Sequence, residues 1–166
     1  MTDIEQQVAK VWNSDVRPTV AEAWRCYGTG AYRGAVALTW AAVCADLLDK
    51  IARLGEDGDS EADKWVRPVQ QARAAGPTNH QSVKTMQKAE SDVLRAAVCF
   101  ELLDDTSARE LERLREDRHL CVHPSLRPFG DSYAPSAEYA RAHFSERSGR
   151  ASDPSPDTGC AGPRAL

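Results

Sequence analysis

From Ala31 to Leu54 the chain is apolar on most sides of a helix, with Val36, Leu38, Trp40, Val43, Leu47, Leu48 and Ile51 spread around its circumference. A helix of that kind must be surrounded, so the stretch predicts the middle of a helical bundle. Nothing nearby offers a sheet instead: period-two alternation is almost absent, β-branched residues are sparse, and Ala, Leu, Arg and Glu dominate. The remaining segments read as helices too. Ile4, Val8, Val11 and Trp12 set one face over 3–13, and Pro18 suits the first turn of a helix running to Tyr27, where Gly28-Thr29-Gly30 ends it. A fourth helix spans Glu61–Ala75 with a bend expected at Pro68, and Gly76-Pro77 breaks the chain. A fifth covers Gln81–Leu103. Ser107, with Glu110 three residues on, has the capping-box pattern for a sixth, which Pro124 stops. A short last helix runs from Pro135 to Glu146. The expected architecture is all-α, an up-and-down bundle of five to seven helices in one domain over 1–147. Residues 148–166, rich in Ser, Pro, Gly and Asp, are expected to be a disordered tail.

The chain's chemistry removes several functional classes. No run of eighteen apolar residues is present, and Met1-Thr2-Asp3-Ile4-Glu5 opens acidic and polar, so a soluble cytoplasmic protein with no membrane partner is expected. Five cysteines without a C-x-x-C pair suggest free thiols rather than a disulfide frame or zinc ribbon. A net charge of −4, from 21 basic and 25 acidic residues, argues against a broad basic surface that coats nucleic acid, so any RNA contact must be local. The acidic run from Glu56 to Asp63 reads as solvated surface. Phosphate loops, G-x-G-x-x-G and G-x-S-x-G are all missing, and no cofactor is expected.

One segment departs from a plain amphipathic helix: Arg118-His119-Leu120-Cys121-Val122-His123-Pro124. Leu111 and Leu114 set an apolar stripe, and seven residues beyond Leu111 falls Arg118, where a buried residue is due. A guanidinium there needs an anion, a partner or a ligand to satisfy it, while His123 titrates near neutral pH; together they suit phosphate binding and proton transfer. Five residues correspond to about 500° of helix, which sets Arg118 and His123 some 140° apart. Two copies of the helix packed together would let Arg118 of one meet His123 of the other, hence an expected dimer. His119 and His123, four apart and near Cys121, have one-face spacing for a metal, yet no further ligand set stands at metal spacing, so no metal is expected. His80 and His143 are lone histidines given no chemistry, and helix capping accounts for Glu101, Asp104 and Asp105.

The same string resembles the R-x(4 to 6)-H signature of HEPN domains, late in a bundle of helices. Glu22-Ala23-Trp24-Arg25-Cys26-Tyr27 followed by Gly30-Ala31-Tyr32-Arg33-Gly34-Ala35-Val36 resembles the early helices of bacterial members, and the likeness covers residues 15–127. It implies a metal-independent endoribonuclease active as a dimer, of the toxin-antitoxin or phage-defence kind, restrained by an antitoxin or other regulatory partner. In that scheme His123 is the general acid or base, Arg118 holds the phosphate, and His119 occupies the family's polar second position. Many HEPN proteins are inactive scaffolds, so a non-catalytic module binding a partner protein or nucleotide is the rival reading, and a small helical adaptor with no site is the third.

Overall fold

A computed structural model describes residues 13–123 and 133–145. Among these, all regular structure is helical: α1 (Arg17–Gly28), α2 (Tyr32–Glu56), α3 (Ser60–Ala75), α4 (His80–Cys99), α5 (Asp105–Val122) and α6 (Ala137–Ser145). The expected first helix over 3–13 and the tail over 148–166 lie outside the described residues, apart from Asn13. No described helix is long and apolar enough to cross a membrane.

Helix ends follow from local chemistry. After α1, Gly30 adopts φ +79°, the Ala31 N–H donates to the Cys26 carbonyl and the Gly30 N–H to that of Tyr27. These are the two bonds of a Schellman turn, closed by the residue type that enters a left-handed conformation without strain. Gly58, at φ +109°, ends α2 the same way, with Asp59 donating to Leu54 and Gly58 to Gly55. Asp59 then caps α3, its carboxylate accepting from the N–H groups of Glu61 and Ala62, and Asn79 caps α4 through Gln81 and Ser82.

Two expectations need correction. Helix α4 stops at Cys99 rather than Leu103, because Glu101 takes φ +56° and Leu102 donates back to Ala97, making a Schellman turn from a non-glycine residue. Helix α5 starts at Asp105, not after Ser107: the Asp104 carboxylate accepts from the Ser107 N–H at 2.6 Å and its carbonyl takes the first helical bond, from Ala108. Asp104 therefore does the capping assigned to Ser107. Helix α3 runs through Pro68 over nearly the expected span.

The described residues form two compact units, one from residues up to 46 together with those from 109 onward, the other from residues 47–108. In the first, Val20 and Ala23 of α1, Val36, Trp40 and Val43 of α2, Leu111, Leu114 and Cys121 of α5 and Ala140 of α6 are buried. In the second, α3 and α4 pack along each other, burying Ala62, Val66, Val69 and Ala72 on one side and Ala89, Val93, Leu94 and Ala97 on the other. Small side chains at these positions keep the helices close. Near the start of α3 the approach is closer still: a Cβ on Gly55 would stand 2.9 Å from the backbone of Asp63.

Candidate active site

The C-terminal half of α5 carries Arg118 and His119, and His123 follows directly after its last residue. Arg118 is half-buried, His119 and His123 are exposed, and the helix ends at Val122, just before His123. The Arg118 Nη1 lies 3.5 Å from His119 Nδ1, and the His119 ring stacks on that of His123 with centroids 5.9 Å apart and planes 21° from parallel. Within one chain, the three groups thus form a continuous line along the end of the helix. Among the described residues, no set of three His, Cys, Asp or Glu stands together as a metal-holding group.

The buried charge on α5 is not the expected one. Asp117 is 6% exposed and belongs to the buried face with Leu111, Leu114 and Cys121, while Arg118 is half-buried. At about 100° per residue, Arg118 falls between Leu111 and Leu114 on the wheel and Asp117 about 60° beyond Leu114, so periodicity alone favours Arg118 as the covered residue. What decides between them is the covering layer. His143 of α6 sets Nε2 2.9 Å from Asp117 Oδ2, and the Tyr133 hydroxyl donates to Asp117 Oδ1 at 3.3 Å. Tyr139 closes edge-on against the His143 ring, with centroids 5.2 Å apart. A carboxylate is tolerated in such a place because donors meet both of its oxygens. Burial, and then the Asp117 charge, push the Tyr133 phenol above its ordinary value near 10. Burial also raises the Cys121 thiol, so it stays protonated at neutral pH and is a poor nucleophile.

Sequence reasoning gave His143 no role and passed over Asp117, Tyr133 and Arg33. Position 117 is adjacent to the stripe, but nothing local pairs it with residues 16 and 26 positions further on; that pairing depends on how α6 docks. Helix α6 itself starts on a cap left unassigned, the Ser136 hydroxyl accepting from the Tyr139 N–H.

Arg33, on the first turn of α2, secures the motif from the other side. Its Nε donates to the Cys121 carbonyl at 3.0 Å and its Nη2 to the same oxygen. This carbonyl is one of the four a helix leaves unpaired at its C-terminus, where a positive charge also opposes the helix dipole. Beside this clamp runs an open groove of roughly 520 Å³, lined by Tyr32, Arg33 and Gly34 on one side and Cys121, Val122 and Pro135 on the other. Next to it lies an aromatic row: Trp24 and Tyr27 stack with centroids 5.1 Å apart, and Tyr27 meets Tyr32 at 5.6 Å. Comparison of the chain with family models, curated proteins and solved structures finds no match.

Proposed function

We propose that this chain is a metal-independent endoribonuclease of the HEPN type, a cytoplasmic toxin or anti-phage effector that works as a homodimer and is restrained by an antitoxin or other regulatory protein. The observation that carries the reading is the line formed by Arg118, His119 and His123, with 3.5 Å between the first two and stacked rings joining the last two. A permanently charged guanidinium beside two imidazoles supplies the groups that RNA cleavage needs.

RNA carries its own nucleophile. An imidazole takes the proton of the 2′-hydroxyl, whose oxygen attacks the adjacent phosphorus as the 5′-oxygen leaves with a proton from an acid. A 2′,3′-cyclic phosphate and a 5′-hydroxyl result, with no metal required. His123 serves as acid or base, His119 stands within one ring stack to take the complementary part, and Arg118 steadies the charge that builds on the phosphate oxygens. The restraining partner covers this exposed line or holds the two copies apart.

A non-catalytic binding module is the second reading, favoured by Val122, an apolar side chain 44% exposed at the end of α5. Induced expression in bacterial cells separates the two. The wild type should arrest growth and lose RNA integrity while His123→Ala, expressed to the same level, does neither; equal harmlessness of both chains sides with the binding module.

A further inference from the structure

The groove beside Arg33 and the aromatic row next to it are not used by the chemistry above, yet they have the components of a nucleotide site. Tyr32 is half-buried, so part of its ring is open, and it lines the groove while resting on Tyr27, which rests on Trp24. A ring backed in this way is held in one orientation before any ligand arrives, which lowers the ordering cost of stacking a base on it. The turn at Gly30 is what brings Tyr32 back over the end of α1.

Arg33 supplies the complementary charge. Its Nε and Nη2 are committed to the Cys121 carbonyl, but among the described residues neither a carboxylate nor any other acceptor engages Nη1. The guanidinium is therefore anchored and oriented while keeping donors for an anion. At roughly 520 Å³ the groove falls among sites that hold small ligands, about 300–1,000 Å³. Its α5 wall ends at Val122, one residue before His123.

We infer that this groove is a subsite for one unpaired nucleotide of an RNA strand, its base stacked on Tyr32 and a phosphate oxygen held by Arg33 Nη1, with the strand running on past Val122 to His123. A paired strand cannot offer a free base face to Tyr32, so the site selects single-stranded segments. The inference depends on the ribonuclease reading only for what happens after binding.

Binding and cleavage are accordingly measured apart. A fluorescent 2′-O-methyl oligouridylate, which lacks the attacking hydroxyl, is titrated by anisotropy at low salt against wild type, Tyr32→Ala, Tyr32→Leu and Tyr32→Phe, each checked by circular dichroism and thermal melting. The expected result is binding by wild type and Tyr32→Phe, weakened about 5- to 100-fold in Tyr32→Ala and Tyr32→Leu, the worth of one base–aromatic stack, with a duplex of equal length bound less well. Tyr32→Leu keeps the groove's apolar volume, so it decides the matter if the alanine variant does not fold. Undiminished affinity in a folded Tyr32→Leu, equal affinity for the duplex, or no binding by wild type overturns the subsite. Tyr32-dependent binding without cleavage of ordinary RNA would sustain the subsite and remove the ribonuclease.

Discussion

Asp117 and His143 lie 2.9 Å apart, Oδ2 to Nε2, with their side chains 8% and 11% exposed. The pair ties α6 to the motif helix one residue before Arg118. Removing one member of such a hydrogen-bonded pair leaves the other buried without its partner, which typically costs about 1–3 kcal/mol. Asp117→Ala should lose stability of that order in chemical denaturation, and Asp117→Ala/His143→Phe should lose less than the sum of the two single changes. Additive losses, or an Asp117→Ala chain within about 0.5 kcal/mol of wild type, the range of ordinary surface changes, would mean that the pair does not hold α6.

Tyr133 gives the same network a pH signature. Its phenol is raised above the ordinary value near 10 by burial and by Asp117, so the folded state prefers the neutral form. The stabilisation this brings is complete below the unfolded value and is lost as pH rises through the higher folded one. Tyr139 is raised as well, by burial and by Asp117, so an absorbance titration of tyrosinate should show two phenols ionising later than the rest, and Tyr133→Phe should remove the later part of that delayed ionisation. Identical titration curves, allowing for one fewer tyrosine, would contradict it.

Gly55 is constrained by its neighbour rather than by its own dihedrals. A methyl group there would stand 2.9 Å from both Cα and N of Asp63, atoms that cannot rotate away. Overpacking of this kind costs about 1–3 kcal/mol, more than the roughly 1 kcal/mol that alanine gains over glycine within a helix. Gly55→Ala should therefore lower the thermal midpoint; a higher midpoint would refute the close approach.

Glu101 presents the opposite case. A non-glycine residue at φ +56° pays about 1–2 kcal/mol for the left-handed conformation, and glycine there would pay only its extra chain entropy, about 0.5–1 kcal/mol. Glu101→Gly should stabilise the fold by up to about 1 kcal/mol in chemical denaturation, and a loss of stability would show that the side chain matters more than the backbone.

The helical class was legible because its signals are local. The apolar run of α2, the glycine turns at 30 and 58 and the proline after His123 each act within a few residues, and Tyr32–Glu56 falls close to the span that periodicity predicts. Two boundaries were misread where similar chemistry competes: Asp104 and Ser107 both suit a cap, and Glu101 gives no hint of a left-handed residue. At the candidate site, the positions of Arg118, His119 and His123 at the end of a helix were readable. The buried partner of α6 was not, since periodicity puts Arg118 rather than Asp117 within the stripe and only the arrival of His143 and Tyr133 makes Asp117 the covered one. Arg33 was hidden for the same reason, being 88 residues from the carbonyl it caps.

The most direct measurement is of RNA ends. Purified wild type, His123→Ala and Arg118→Ala are incubated with a single-stranded RNA and its all-deoxy counterpart in the presence of a metal chelator. Wild type should cut only the RNA, leaving 2′,3′-cyclic phosphate and 5′-hydroxyl termini, and each variant should be slower by about 100-fold or more. Cleavage that the chelator abolishes, that proceeds equally on DNA, or that His123→Ala retains at the wild-type rate would contradict a working site at the end of α5.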